Sequence, residues 1–579
     1  MLKSFERILY MHKKHGIPSR WSALIQIMLV LSWLVNLQNS QSYLFVNALW
    51  AMAGCLSIAD NARDSSPSRS LGSCALAAAF SLASVCANHS LFFPAAGFMG
   101  LLTLLVSLLG GFFLLWNVIP CLRRRLPLSQ AAPEGNRDPR RFFRICFASI
   151  VLIDGLYLLL AAWPGILSAD SLGQMGEICS GHYRNLNPYW HTKTIALFVG
   201  IGQTLFGSLQ AGVGLFSLFQ ILLFAAGAAY VLVTLYQQGL PKGCIGLVWA
   251  AYALAHYNIA YSVTMWKDIP FSLACLVCIT ALYRILQGVE GRKNLDVTLF
   301  LLSGLGVCLW RTNGMLVYGV LLVTVLAALP HNGKLKAAMS CVLLVGVFLS
   351  GPFLSMQQIP GSDFVEAASI PLQQVARVVQ EGKALTDEET EQIAAVADLT
   401  AIAQVYESDL SDPIKALVRS NGKEVISQAP GTYFRLWLRL GLRYPGAYAR
   451  AWADQTKGYW DSGYENYVVA NGIFENELGL FSQPGSSLIS HMAVRCFRYI
   501  EIIPFLQPFY SIGLQCWLMI LCCYLSCVRR NKVWILTLPW FSVLFGLLIG
   551  TPVFAEFRYA YPLILTLPPV LALTCFPAK

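Results

Sequence analysis

The sequence predicts an all-α polytopic membrane protein with about fourteen transmembrane helices. Three observations predict it. First, 56% of the 579 residues are hydrophobic and only 12% are charged, with a mean hydropathy of +0.57; soluble chains carry about 25% charged residues. Second, apolar runs approach the roughly 20 residues a span requires. They fall near 22–40, 43–60, 71–89, 96–118, 144–165, 212–236, 243–265, 269–286, 296–310, 314–330, 337–354, 511–528, 533–553 and 559–577. Third, one choice of orientation makes every loop on one face basic.

That choice places the N-terminus inside. The loops 61–70 (Arg63, Arg69), 119–143 (Arg123, Arg124, Arg125, Arg137, Arg140, Arg141), 287–295 (Arg292, Lys293), 331–336 (Lys334, Lys336) and 529–532 (Arg529, Arg530, Lys532) are then cytoplasmic. The C-terminus is expected inside as well. The net charge of +11 invites a nucleic-acid partner, but these basic residues flank apolar runs, which is the pattern of membrane anchoring. Residues 1–21 are polar and basic, and the run that follows lacks a small-residue cleavage site, so it reads as a retained first span. The 17 cysteines fall mostly within spans and read as small apolar residues; Cys179 and Cys496 fall in outer segments, either bridged or free.

The expected organisation is a four-span module (1–125), a Pro- and Gly-containing linker (126–143), a transmembrane core (144–354) with an outer loop at 166–211, an outer helical segment (355–510), and a final part of three spans (511–579). Within the outer segment, Thr386-Asp387-Glu388-Glu389 reads as a capping box opening a helix through Ile393 and Val396. Asp412-Pro413 reads as a second cap with proline in the first turn. Residues 432–452 mix Tyr433, Arg435, Trp437, Arg439, Arg443 and Trp452, which suits a helix on a membrane surface.

The chain breaks at Trp163-Pro164-Gly165 into a polar stretch carrying Asp170, Glu177, His182, Arg184 and His191. Hydrocarbon excludes unpaired charge, so this stretch belongs at the interface or in a wet cavity. Residues 194–207 are apolar but too short to span, and suit an interfacial helix. Asp170 is the candidate catalytic carboxylate; the bland alternative makes it a helix cap. Lys267, Arg311 and Arg558 are candidates to grip a phosphate, against readings as a snorkelling lysine, a paired arginine and a Glu556–Arg558 surface pair. Glu177, His182, His191 and Asp268 are candidates for substrate or metal contacts; their spacing fits no metal motif, so a divalent cofactor is left open. Tyr459, Trp460, Tyr464 and Tyr467 beside Asp461 and Glu465 suit either a sugar or a membrane interface.

The break leading to Asp170, the helix after it, and Arg558-Tyr559-Ala560-Tyr561-Pro562 at a late span resemble the GT-C superfamily of integral-membrane glycosyltransferases. Trp266-Lys267-Asp268, Arg311-Thr312-Asn313-Gly314 and the stretch 370–377 are similar to those of a bacterial multispan branch grouped with it. The resemblance covers residues 144–579. It implies transfer of a sugar from a polyprenyl-phosphate-linked donor to a glycan, lipid or protein acceptor at the outer face of a bacterial plasma membrane. Asp170 would be the general base, and Lys267, Arg311 and Arg558 the phosphate ligands. The family often adds an acid two positions from the first. Ser168 and Leu172 stand there, which leaves Glu177 as the nearby substitute. A flippase of lipid-linked glycans and a non-catalytic assembly protein are the alternatives. Transporters tend to show repeated halves, and no repeat is visible here.

Overall fold

The computed structural model describes residues 19–37, 43–63, 70–92, 97–126, 138–289, 293–328, 333–361, 364–466, 468 and 471–576. The basic residues before 19, Arg69, Arg137, Arg292, residues 127–137 of the linker and Tyr467 lie outside them. The chain is 80% helix, and among the described residues there is no strand, only isolated bridges pairing Ile166 with Thr264 and Leu167 with Ile473. Among the described residues, eight helices are long and apolar enough to cross a membrane: Leu44–Asn61, Phe98–Arg125, Pro139–Ala162, Leu209–Gln237, Asp268–Gln287, Lys293–Trp310, Gly333–Met356 and Val533–Gly550. Four more, Trp21–Asn36, Leu71–Ala87, Gly314–Ala327 and Ile512–Val528, are apolar but shorter.

Several boundaries follow directly from side-chain chemistry. Pro139 opens its helix because Asp138 caps it, accepting from the backbone N–H groups of Arg140 and Arg141. Leu209–Gln237 starts where Ser208 Oγ accepts from Ala211 N and ends at the polar Gln237-Gln238-Gly239. The run at 243–265, expected as one span, is two helices, Lys242–Ala253 and His256–Ser262. The carbonyls freed at that break are taken by Asn258, whose Nδ2 donates to Ala251 O and Tyr252 O. The interfacial helix expected at 194–207 begins earlier, at Tyr189, because Asn185 Oδ1 accepts from Tyr189 N and the turn buries His191 and Thr192.

The chain divides into two compact units. The first comprises residues 1–127, 460–465 and 504–517. Here Phe98–Arg125 packs against the three other long helices. The approach is close: a Cβ on Gly110 would lie 2.2 Å from Leu29 O. Asn61 donates to Asn117 and Asn117 to Gln26, interhelical bonds of the kind that join membrane helices.

The second unit comprises 128–459, 466–503 and 518–579. Its helices between 364 and 456 share a hydrophobic core that includes Leu372, Val375, Ile393, Ile414, Val418, Tyr433, Leu436 and Leu440. The Thr386/Glu389 capping box forms as expected, although its helix stops at Ala394, before Val396. At Asp412-Pro413 the cap position belongs to Ser411, and Asp412 is already helical. Residues 432–452 are two helices, Pro430–Arg443 and Pro445–Thr456, because Pro445 bars its predecessor from helical geometry. Phe434, Leu438 and Leu442 are exposed along the first of them, opposite the buried Tyr433, Leu436 and Leu440.

Gly165 sits at φ +149°, and a Cβ there would lie 2.4 Å from Ser217 Oγ and 3.0 Å from Val263 O. Gly165→Ala is therefore expected to cost about 1–3 kcal/mol from backbone strain alone. Thermal unfolding in detergent should show a clear drop in midpoint, and an unchanged midpoint would mean the break tolerates a side chain.

Candidate functional site

Three irregular segments meet to form the candidate site, and each is held by groups from elsewhere in the second unit. The first is the break after Pro139–Tyr157. The helix widens into a π turn at Leu158–Ala162 and passes through a cis Trp163–Pro164 peptide. Its released carbonyls find donors: Gly485 N to Leu159 O, Ser486 N to Leu160 O, Ser490 Oγ to Ala161 O, Gln483 N to Trp163 O and Ser217 Oγ to Pro164 O. The chain then pairs in parallel with the second segment, through Ile166 N to Val263 O and Met265 N to Ile166 O, and on its other side with Gly472 and Phe474 through Leu167. Gln220 Nε2 donates to Tyr261 O, Ser262 O and Thr264 O. Trp266 Nε1 to Ser168 Oγ (2.7 Å) and Ser171 Oγ to Met265 O (2.8 Å) complete the join.

This pairing sets two helix N-termini side by side. Asp170 lies in the first turn of Ala169–Ser180, and Lys267 directly precedes Asp268–Gln287. Ser168, not Asp170, holds the cap position, and Ser171 Oγ accepts from Ser168 N. The capping role weighed for Asp170 is thus filled by a neighbour, and its carboxylate is turned to other partners.

The third segment is Thr551–Ala555, leading to Glu556 and Arg558. Every carbonyl of this stretch accepts a hydrogen bond from a residue between 411 and 466. Gln455 Nε2 reaches Thr551 O, Lys415 Nζ and Ser411 Oγ reach Pro552 O, Ser411 N reaches Val553 O, Tyr459 OH reaches Phe554 O, and Asn466 Nδ2 reaches Ala555 O.

At the meeting point Arg558 Nη1 donates to Asp170 Oδ2 at 3.0 Å, and Lys267 Nζ lies 3.8 Å from the same oxygen. Lys267 also donates to Asn187 Oδ1 at 2.6 Å. Glu556 grips Arg558 through both Nε and Nη2. The guanidinium lies 5.0 Å from the Trp266 ring centre and 4.9 Å from that of Tyr559, within cation–π range. Tyr559 also meets Arg311 at 5.2 Å. Arg311 Nη1 is 2.7 Å from Asp268 Oδ1, with the arginine 8% exposed and the aspartate fully buried. Neither Asp268 oxygen makes an aligned hydrogen bond, so this pair is held by proximity of charge.

Asp170 is 41% exposed, yet desolvation is the largest single influence on its carboxyl. Its carboxylate is thus in touch with water although protein atoms crowd it. Burial pushes the carboxyl up, but Lys267 and then Arg558 outweigh it and hold it below the usual range. Glu556 goes the other way: burial, with Asp268 and Asp170 adding repulsion, keeps it above the usual range against the pull of Arg558.

The other candidates stand apart from this cluster. His191 is buried; its Nδ1 meets the Gln174 amide, whose Nε2 also donates to Thr192 Oγ1, and burial with Lys267 nearby brings its pKa down to about 3. It is a neutral packing residue at ordinary pH. Glu177 accepts from Arg184 N, and His182 is exposed. Among the described residues no three His, Cys, Asp or Glu side chains gather closely enough to hold a metal ion. Tyr459 is fully buried with its hydroxyl spent on Phe554 O, so its ring has no open face for a sugar, a correction to its reading as a stacking platform. Trp460 is only partly exposed and belongs to the first unit. Asp268 and Arg311 neutralise each other in a buried pair. Sequence reasoning missed Trp266, Asn187 and Tyr559, and the surface pair weighed as the alternative for Glu556–Arg558 is instead a largely buried one.

Because Asp170 is held below its ordinary value of about 3.9, its ion pairs add stability at neutral pH that is lost as pH falls through the depressed value. Arg558→Met should cost about 3–5 kcal/mol at neutral pH, the usual result of stranding a buried carboxylate. The variant should then recover part of this loss as pH falls and Glu556 takes up a proton. Unfolding midpoints from about pH 7 to about pH 4 test this; parallel slopes for variant and wild type would contradict it.

Two comparisons bear on identity. No curated protein and no solved structure matches the chain. A family model, DUF6020, described as a family of unknown function, matches residues 183–578. The matched region takes in Lys267, Asp268, Arg311, Glu556 and Arg558 and begins after Asp170. It covers more than half of the chain, and the protein therefore belongs to the DUF6020 family.

Proposed function

We propose that the protein is a GT-C-type membrane glycosyltransferase that moves a sugar from a polyprenyl-phosphate-linked donor to an acceptor at the outer face. The observation that supports this most directly is the convergence of Arg558 and Lys267 on one partly open carboxylate, Asp170. In this reading the donor phosphate enters the cleft and engages Arg558 and Lys267. Their hold on Asp170 loosens, and the carboxylate becomes a better base. Asp170 takes the proton of the acceptor hydroxyl, the acceptor oxygen bonds to the anomeric carbon, and the bond from that carbon to the phosphate oxygen breaks. The phosphate leaves with the electron pair, stabilised by the two cations. Arg311, sequestered by Asp268, supports the site through Tyr559 rather than touching the donor. About fourteen spans, a GT-C-like core, cytoplasmic termini and a bacterial plasma membrane belong to the same reading.

The test is to offer the purified protein a panel of polyprenyl-phosphate sugars and follow release of polyprenyl phosphate. Asp170→Asn should lower turnover roughly 10²–10⁴-fold, the range for loss of a general base, while lipid binding persists. Full turnover by Asp170→Asn would remove Asp170 from the chemistry. Uncleaved donor crossing a vesicle bilayer would favour a flippase.

A further inference from the structure

The outer helical segment does more than cover the membrane part. Lys415 lies in the helix Asp412–Asn421, far in sequence from Asp170, Lys267 and Arg558, and its side chain is 1% exposed. A buried ammonium is costly unless its donors are used. Here Nζ is 3.1 Å from Glu366 Oε2, 2.7 Å from Asp412 Oδ1 and 2.7 Å from Pro552 O. Arg419 binds the other oxygen of Glu366 and fixes that carboxylate. Two of the three contacts anchor Lys415 within the outer segment, and the third reaches out to the stretch that carries Glu556 and Arg558. Ser411 and Gln455, joined through Ser369, hold the neighbouring carbonyls of the same stretch.

The stretch Thr551–Ala555 has no helix of its own between Leu538–Gly550 and Phe557–Ala560. Its path is set by whatever holds its carbonyls. The strongest of those contacts by charge and distance is the one from Lys415. Resting on the phosphate-site reading above, we propose that Lys415 is a positioning residue for that site, setting the place of Arg558 through the Pro552 carbonyl. It thereby couples the packing of the outer segment to the affinity of the cleft for a phosphate headgroup. Its charge acts in the same direction at longer range, since it is among the cations that favour ionised Asp170.

Three variants separate this from a general loss of stability. Lys415→Met keeps the aliphatic stem and removes the ammonium; Lys415→Arg keeps a charge able to reach a carbonyl; Asp412→Asn weakens an anchor of the lysine but leaves the Pro552 contact. Each is purified as the full chain in lipid nanodiscs, and binding of polyprenyl phosphate is measured beside inorganic phosphate, with unfolding midpoints recorded. Lys415→Met should weaken polyprenyl-phosphate binding roughly tenfold, within the usual span of coupling between linked sites. Lys415→Arg should restore most of it, and Asp412→Asn should stay close to wild type. If Lys415→Met binds like wild type, or Asp412→Asn loses as much as Lys415→Met, the inference fails while the phosphate-site reading stands. If wild type binds neither probe, both fall together. Inorganic phosphate alone following the same pattern would support the coupling and make free phosphate, not a lipid headgroup, the bound species.

Discussion

A buried backbone carbonyl has no water to turn to, so a helix can stop inside the protein only if other groups take over its hydrogen bonds. That constraint organises the second unit. The break at Trp163–Pro164 persists because Gln483, Gly485, Ser486, Ser490 and Ser217 supply donors to its carbonyls. The stretch Tyr261–Thr264 persists because a single buried amide, Gln220, serves three of its carbonyls and Ile166 N the fourth. The stretch Thr551–Ala555 persists because Ser411, Lys415, Gln455, Tyr459 and Asn466 serve its own. Each piece of irregular backbone delivers one charged residue: Asp170, Lys267 and Arg558. The polar side chains that look incidental in the sequence are what allow charge to be presented at a helix end.

Part of this was legible in the residues. Asp170, Lys267 and Arg558 stand beside long apolar runs, where charge without a partner is too costly to keep, and they do converge. Glu556 was legible as a partner for Arg558, but a two-residue spacing carries no information about burial, so the alternative weighed against a phosphate role was a surface pair, whereas the pair is largely buried. The break within 243–265 was hidden because its residues are apolar and its remedy is local: Asn258 caps the interruption from within the run. Tyr459 looked like an open aromatic face because sequence records ring chemistry but not that Phe554 O lies over its hydroxyl. The pinning of Thr551–Ala555 was out of reach for a simpler reason. Ser411, Lys415 and Gln455 are ordinary residues in a helical segment, and only the tertiary fold brings them to a loop 96 to 142 residues away.

Charge balance then sorts the ionised groups by what they are able to do. Asp170, Asp268 and Glu556 face Arg558, Arg311 and Lys267, so as a group they nearly cancel. What differs is water. Asp268 is fully buried against Arg311, and removing either partner would leave an uncompensated charge in a poor dielectric, so that pair stays closed. Glu556, 15% exposed, holds Arg558 at two nitrogens and orients it.

Asp170 keeps 41% of its surface open and shares its partners, holding Arg558 by one bond and Lys267 at 3.8 Å. A carboxylate still in touch with water exchanges one cation contact for hydration at little cost, because partly exposed ion pairs contribute only about 0–1 kcal/mol. In the proposed reading, a phosphate oxygen would meet two cations whose present counter-ion is the most exposed acid of the cluster. The depth gradient, from Asp268 through Glu556 to Asp170, thus distinguishes a closed structural pair, an orienting clamp and an exchangeable acid. It does so with the same two side-chain chemistries, carboxylate and cation, separated by nothing except access to water.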